Sequence, residues 1–233
     1  VSLTILDELI VFDAGSGLVN LSLYLEKTAK KPKAVYFFIT HSHLDHIMGL
    51  SGFSWLWKPR CPFEIHFIIT NPGIKMAIDG LLSPPYFPLF LKDSKAEIFY
   101  HHIKDTFLGK GWSIKAFPLN HPGGSFGYRI DYLGQSVAFV TDTGPIESQD
   151  FYGWLQAVDI LIHDAMFNYQ QAEFHSDWGH SSVKYTAGLA KKVKAKHLIL
   201  YHHHHYHTDE DLKKLEHQAQ EIFPQSSMAR QDQ

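Results

Sequence analysis

The segment His41-Ser42-His43-Leu44-Asp45-His46 constrains this chain more than any other, because it places four metal-binding side chains within six residues. The preceding residues 34–39 are rich in β-branched and aromatic side chains, which predicts a buried strand. The histidines therefore follow the carboxyl end of a strand, where α/β proteins place their functional sites. Imidazole nitrogen and carboxylate oxygen suit Zn²⁺ and its first-row neighbours. The segment thus predicts a metal site on a loop.

The pattern H-x-H-x-D-H resembles the signature of the metallo-β-lactamase superfamily, and the resemblance extends over residues 5 to 215. It implies an α/β fold of the αββα type, a four-layer sandwich with a metal site at its edge. It also implies three later ligands, each after an apolar, strand-like run: His121, Asp142 and His202.

The resemblance further implies how the ligands are shared between two ions. His41, His43 and His121 hold one ion, Asp45, His46 and His202 hold the other, and Asp142 bridges them. The expected cofactors are two divalent ions, Zn²⁺ in the first place, although His and Asp ligands also accept manganese or iron. Such an ion pair lowers the pKa of a bridging water, so a metal-bridging hydroxide is the expected nucleophile.

Two further segments resemble the ribonuclease Z-like phosphodiesterase branch of the superfamily. They are Leu161-Ile162-His163-Asp164-Ala165 and Trp178-Gly179-His180-Ser181-Ser182. The resemblance implies that Asp164 pairs with His180 and that His180 protonates the leaving alcohol, chemistry that an imidazolium supports near neutral pH. Met166 departs from the family pattern, which has Thr there. Asp45, His180 and Asp164 are the predicted catalytic residues, and Ser181 or Ser182 is the predicted cap of the next helix.

The favoured function is a dinuclear metal-dependent hydrolase, a phosphodiesterase on small or cyclic phosphodiesters. The tRNA-processing relatives have a long arm rich in glycine and basic residues, and nothing between Cys61 and Gly111 has that composition. The net charge of -3 also makes a nucleic-acid partner less expected. Three alternatives stay open: a ribonuclease Z-like tRNA 3′ endonuclease, a hydrolase of lactones, thioesters or β-lactams, and a metal-binding scaffold without activity.

Length and cysteine content limit the domain organisation and the cellular compartment that we expect for the chain. Its 233 residues suit one metallo-β-lactamase-like domain over residues 1–233, and relatives suggest that a first strand is missing at the amino terminus. The single cysteine, Cys61, excludes an internal disulfide. No apolar run of 18 residues is present, so we expect a cytoplasmic protein without a membrane partner. The resemblance also suggests a homodimer.

Local patterns predict the elements. Strands are expected at 2–5, 9–13, 34–39, 63–70, 96–101, 112–118, 126–131, 135–140, 160–163 and 198–201, and helices at 18–30, 72–82, 147–156, 183–192 and 209–223, with a helical stretch at 47–56. The segment Ser83–Phe90 has too many prolines for a regular helix or a central strand, and is either a lid over the site or a structural plug. In the run that follows His202, we expect His204, His205 and His207 to be loop residues rather than ligands.

Overall fold

The computed structural model describes residues 1–175 and 177–230, so the last three residues of the predicted domain lie outside the described part. Contacts along the chain group it into two compact units, Val1–Lys104 and Asp105–Gln233. That the whole chain is one domain stays a prediction. Each unit contains one mixed β-sheet with its own helices and its own core.

The first unit is built on a five-stranded sheet in the order β1-β2-β3-β4-β5. β1 pairs antiparallel with β2, and β2 to β5 are parallel, as expected for strands joined by helical crossovers. β2 and β4 are buried along almost their whole length, which explains their continuous apolar sequences. The strands are Ser2–Ile5 (β1), Glu8–Phe12 (β2), Ala34–Phe38 (β3), Glu64–Ile69 (β4) and Ile98–His102 (β5).

Three helices accompany this sheet: Leu18–Lys27 (α1), the single turn Leu44–Ile47 (α2) and Pro72–Leu81 (α3). α3 begins after Asn71, whose side chain accepts the amide hydrogen of Gly73. Pro72 stands in the first turn, where its missing amide hydrogen costs the helix no hydrogen bond. The buried apolar residues of α1 and α3 join alternate residues of β2, β3 and β4 in one core. This core fixes the strand ends from which the site loops emerge.

The second unit is built on a seven-stranded sheet in the order β12-β11-β10-β9-β8-β7-β6. β6 to β9 form an antiparallel meander, whereas β9 to β12 are parallel. The carboxyl ends of β9, β10 and β11 therefore meet at one edge. The strands are Thr106–Leu108 (β6), Trp112–Leu119 (β7), Ser125–Tyr132 (β8), Gln135–Val140 (β9), Ile160–Asp164 (β10), His197–Tyr201 (β11) and Ser226–Met228 (β12).

Four helices complete the second unit: Gln149–Leu155 (α4), Tyr169–Phe174 (α5), Val183–Lys192 (α6) and Asp209–Ile222 (α7). Each begins at a side-chain cap, which explains where the sequence allows it to start. The caps are Ser148, Asn168, Ser182 and Thr208. Among the described residues, no helix is both long enough and apolar enough to cross a bilayer.

The predicted elements are all present with shifts of a few residues at their ends, except that the helical stretch at 47–56 is mostly two 3₁₀ turns after α2. Among the described residues, the short elements that were not predicted include β6, α5, β12, most of α2 and a 3₁₀ turn at Leu91–Asp93. The segment Ser83–Phe90 forms neither helix nor strand, as predicted. Phe87 stacks on Trp57 and packs against the core, while Tyr86 is 80% exposed. Phe87 therefore fits the plug interpretation.

Close backbone packing joins the loop after β2 to the segment after β3. The Ala14 amide donates to the His46 carbonyl over 2.7 Å, and the Gly49 amide donates to the Ala14 carbonyl over 2.8 Å. A Cβ on Gly49 would lie 1.9 Å from the Gly15 carbonyl oxygen, far inside van der Waals contact. Only glycine fits there, so the sequence of the second loop is dictated by the backbone of the first.

The substitution Gly49→Ala should lower the free energy of unfolding by about 1–3 kcal/mol, the usual range for overpacking a filled site. Gly17→Ala is the matched control, because no described heavy atom lies within 4 Å of its added Cβ. Urea unfolding followed by circular dichroism measures both variants. If the two variants had the same free energy of unfolding, the loops could move apart at Gly49 without loss of stability, and the prediction would be wrong.

Candidate functional site

The first group of site residues follows the parallel strands of the first unit. We call His41, His43, Asp45 and His46 the first ligand group. They lie on the loop after β3 and in the first turn of α2. The rings of His41 and His43 have centroids 4.5 Å apart, and those of His41 and His46 are 4.3 Å apart. His41 and His46 are buried, whereas His43 and Asp45 are exposed. The spacing in sequence thus produces the clustering it predicted.

The buried carboxylate of Asp13, at the end of β2, orients this group. Its oxygens accept the Thr40 amide hydrogen over 2.8 Å and the Thr40 hydroxyl over 3.0 Å. The second oxygen lies 2.8 Å from Nδ1 of His46. Nδ1 therefore carries the proton, and Nε2, which lies 3.1 Å from Oδ2 of Asp45, is the nitrogen that could bind a metal. Asp13 matches the structural Asp-x-Gly position that the resemblance implies.

Thr40 orients His41 in the same way, a role that the sequence analysis missed. The Thr40 hydroxyl gives its only proton to Asp13, so its oxygen is an acceptor toward His41. Nδ1 of His41 lies 3.0 Å from that oxygen and must donate to it. This fixes the tautomer in which Nε2 of His41 is the basic nitrogen. A hydroxyl residue directly before the first histidine is the signal that could have identified it.

The second group of site residues follows strands of the second unit. We call His121, Asp142 and His202 the second ligand group. Asp142 leaves β9 with φ +52° and His202 leaves β11 with φ +57°, left-handed conformations that non-glycine residues adopt at a cost. Oδ1 of Asp142 lies 3.4 Å from Nε2 of His202 and 4.0 Å from Nε2 of His121. The resemblance implies that Asp142 shares one ion with His121 and the other with His202. In the structure, Nε2 of both histidines lies within 4.0 Å of the same oxygen of Asp142.

The loop before His180 fixes the ring of His121. Nδ1 of His121 donates to the Gly179 carbonyl over 3.0 Å, so Nε2 faces Asp142 as the basic nitrogen. Gly179 has φ +74°, and a Cβ there would lie 2.4 Å from Cδ of Pro122. Gly179 is a second supporting residue that the sequence analysis did not single out.

Asp164 and His180 form the pair that the resemblance implies. Oδ2 of Asp164 lies 2.7 Å from Nδ1 of His180. The carboxylate is fully buried, and it also accepts backbone amides from Ser181 over 3.0 Å, from Met166 over 3.1 Å and from Thr143 over 3.3 Å. Because Nδ1 of His180 is occupied, the nitrogen available for proton transfer is Nε2.

His180 lies beside the second ligand group. Its ring stacks on that of His202, with centroids 5.0 Å apart and planes 11° apart, and meets the ring of His121 at 5.1 Å. One ligand atom each of His121, Asp142 and His180 lie within 4.8 Å of one another. The predicted proton donor and the predicted ligands of the second group thus share the carboxyl edge of the second sheet.

His163, whose role the sequence left open, supports Asp164. It is fully buried, and its Nδ1 lies 2.8 Å from the backbone carbonyl of Asp164. Burial lowers the pKa of His163, which favours the neutral ring, and Nδ1 donates to this carbonyl while lying 3.2 Å from the Thr186 hydroxyl. Thr186 donates to the same carbonyl over 2.7 Å. The end of β10 is therefore held from the backbone as well as through the Asp164 side chain.

The histidines after His202 line a loop. His203 is half-buried with Nε2 3.3 Å from the Ala229 carbonyl, and burial lowers its pKa. His207 contacts the side-chain oxygen of Gln171 over 3.3 Å, and His205 is exposed. Within the described part of the chain, no set of converging ligand atoms includes residues 203–207. Residues 203–207 lie between β11 and α7, as expected for loop residues, and that His204, His205 and His207 bind no metal stays a prediction.

A family model described as a β-lactamase superfamily domain matches residues 9–203 of the chain. The chain therefore belongs to the metallo-β-lactamase superfamily, as the residues predicted, and it has the metallo-β-lactamase fold. It is similar to the crystal structure of the metallo-β-lactamase fold protein YhfI from Bacillus subtilis, with a TM-score of 0.75, 19% identity and coverage of 99% of this chain and 88% of that one.

Two curated relatives have names that fit the ribonuclease Z-like branch, which the segments around Asp164 and His180 resemble. Ribonuclease BN of Erwinia tasmaniensis is 26% identical over 94% of this chain and 86% of its own length. Ribonuclease Z of Enterococcus faecalis is 25% identical over 99% of this chain and 88% of its own length. Membership of the family supports a hydrolase, and the His and Asp clusters support divalent metal binding.

The burial of Asp164 makes a stability prediction. Asp164→Ala should lower the free energy of unfolding by about 3–5 kcal/mol, because it removes one partner of a buried pair and strands three backbone amides. Asp131→Ala is the control, since Asp131 pairs with Arg129 over 3.1 Å near the surface and should cost about 1 kcal/mol or less. Chemical unfolding of both variants checks this. A loss for Asp164→Ala no greater than that of the control would contradict the prediction.

Proposed function

We propose that the chain is a dinuclear metal-dependent phosphodiesterase that hydrolyses small or cyclic phosphodiesters. In this proposal each ligand group would supply His and Asp ligands for divalent ions, Zn²⁺ in the first place. When bound, such ions lower the pKa of a coordinated water and neutralise charge that builds on phosphoryl oxygens.

The donor chemistry fits a metal within each unit. His41, His46 and His121 all use Nδ1 for a hydrogen bond to the protein, which leaves Nε2 of each ring as the basic nitrogen. Metal-binding histidines in proteins are usually held this way, by an acceptor on the nitrogen that does not bind the metal. Packing alone would not require three histidine rings to be oriented by the same kind of hydrogen bond through Nδ1.

The observation that carries the choice of reaction is the Asp164–His180 pair beside His202. A departing alkoxide is a poor leaving group until it receives a proton. Asp164 fixes the His180 ring through Nδ1, so that Nε2 is the atom that would give a proton to the leaving oxygen. After departure, His180 is neutral and takes up a proton from solvent to begin the next cycle.

The Asp164–His180 pair resembles that of the ribonuclease Z-like phosphodiesterase branch, where it serves a leaving alcohol. A family member that opens a β-lactam could use the same metals without such a pair. A thioester loses a thiolate, which departs without a proton more readily than an alkoxide does. The pair therefore favours a phosphodiester over these two carbonyl substrates.

The second candidate is a ribonuclease, which the names of the two curated relatives favour. The alignments with them run over 274 and 294 residues, more than the 233 of this chain, so the relatives have segments that this chain lacks. The sequence also has no segment with the composition of an RNA-binding arm. We therefore place RNA second, because a long anionic backbone requires cationic contacts that this chain does not concentrate.

The first test is hydrolysis of bis(p-nitrophenyl) phosphate by protein reloaded with Zn²⁺ or Mn²⁺, with a chelated sample as the blank. Metal-dependent turnover is expected, and turnover of 2′,3′- or 3′,5′-cyclic nucleotides should accompany it. A precursor tRNA with a 3′ trailer tests the second candidate, for which activity should fall steeply with added salt. Fully metallated protein that hydrolyses neither diester nor RNA, but does hydrolyse a lactone or thioester, would contradict the proposal.

His180→Ala should separate proton donation from metal binding. For a cyclic nucleotide, whose leaving group is an alkoxide, kcat should fall by about 10²–10⁴-fold. For bis(p-nitrophenyl) phosphate the loss should be much smaller, because p-nitrophenolate departs without a proton. Metal content, measured by atomic absorption, should stay at the wild-type value.

His217→Ala is the matched control for His180→Ala, because His217 is an exposed histidine on α7. It should retain wild-type turnover on both substrates. An equal loss on both substrates in His180→Ala would show that His180 holds the site together and is not the proton donor.

A further inference from the structure

A group of aromatic and imidazole rings lies beside His180, and neither the metal ligands nor the proton donor accounts for it. Its centre is Phe167, which is 1% exposed and directly follows the Asp164 segment. The Phe167 ring contacts His175 at 5.3 Å, His204 at 5.9 Å and Trp178 at 6.2 Å. Its edge meets the ring of His180 at 6.1 Å and 84°. We call Phe167, His175, Trp178, His204 and Tyr206 the aromatic shelf.

Parts of the shelf are open to solvent. Trp178 is 47% exposed and Tyr206 is 79% exposed, while Phe167 beneath them is buried. Trp178 and His175 have ring centroids 4.4 Å apart, and Tyr206 lies 5.1 Å from His204. Large aromatic rings that stay exposed next to a reactive group indicate a binding surface more often than a packing one.

The loops that carry the shelf are held in place. His207 reaches Gln171, which also forms the capping box at the start of α5. The Phe167 amide donates to the Ser181 carbonyl over 3.2 Å, and the Val183 amide donates to the Phe167 carbonyl over 2.9 Å. The buried ring is therefore fixed relative to the helix that begins just after His180.

We propose that the aromatic shelf binds a nucleobase on the leaving-group side of the phosphodiester. The inference rests on the proposed function, in which His180 gives its proton to the leaving oxygen. Whatever is attached to that oxygen lies on the His180 side of the phosphorus, where the shelf is. A planar base offers a face to stack on Trp178, whereas a flexible alkyl group does not. The substrate class is then a phosphodiester whose leaving alcohol belongs to a nucleoside.

The test compares two ligands that differ only in the base: adenosine 5′-monophosphate and ribose 5-phosphate. Isothermal titration with Zn²⁺-loaded protein measures the affinity of each. The wild type should prefer the nucleotide by roughly tenfold or more, the effect of one stacked base. Trp178→Ala should bring this ratio close to one and leave the affinity for ribose 5-phosphate unchanged. Trp178→Phe should restore most of the ratio.

A structural role for Trp178 predicts something different, namely that Trp178→Ala weakens both ligands alike, and that result would overturn the proposal. Tyr86→Ala is the matched control, because Tyr86 is an exposed aromatic ring on the Ser83–Phe90 segment. Its ratio should equal that of the wild type. Loss of the base preference in Tyr86→Ala, or no preference in the wild type, would also overturn the proposal.

Two sources of the base are separated by a third ligand, the trinucleotide ApApA. Tighter binding than the mononucleotide would indicate the end of an RNA strand, and equal binding would indicate a small nucleotide. The titrations do not require turnover. A base preference that depends on Trp178 in a protein without diesterase activity would overturn the proposed function and not the shelf.

Discussion

A carboxylate without exposure to water organises the second unit. Asp164 is fully buried, and a buried charge is tolerated only where hydrogen bonds replace its hydration. Here three backbone amides replace the water: those of Thr143 after β9, Met166 after β10 and Ser181 just before α6. One side chain therefore joins three segments. The same carboxylate orients His180. The stability of this edge and the chemistry of its proton donor therefore depend on one group.

Asp13 has the corresponding role in the first unit. It is 9% exposed, ends β2, and fixes His46 directly and His41 through the Thr40 hydroxyl. In both units a carboxylate at the end of a strand sets which imidazole nitrogen carries the proton. A histidine with the wrong tautomer cannot present its lone pair to an ion, so these supporting groups matter as much as the ligands.

The sequence predicted most of the fold and the main site residues because both have strong local signals. The strands that precede His41, Asp142 and His202 are apolar and β-branched, and the spacing of His41 to His46 is specific. What was missed has weak local signals. β6 and β12 have three residues each, and α5 has six mostly polar residues that a capping box begins. Gly179 acts through a hydrogen bond to His121 and close approach to Pro122, both distant in sequence, which no local pattern reveals. Thr40 acts through Asp13, and its only local signal is its place directly before His41.

The small-diester and RNA interpretations share their chemistry and differ in recognition. Hydrolysis at phosphorus needs the ligand groups and His180 in either case. An RNA backbone is bound mainly through cations, and this chain has 21 basic against 24 acidic residues. The rings beside His180 are instead able to bind a base by stacking, which depends little on charge. Under the proposed function, recognition through the leaving nucleoside would explain how a chain that lacks segments of the aligned ribonucleases selects a substrate without an arm that binds RNA.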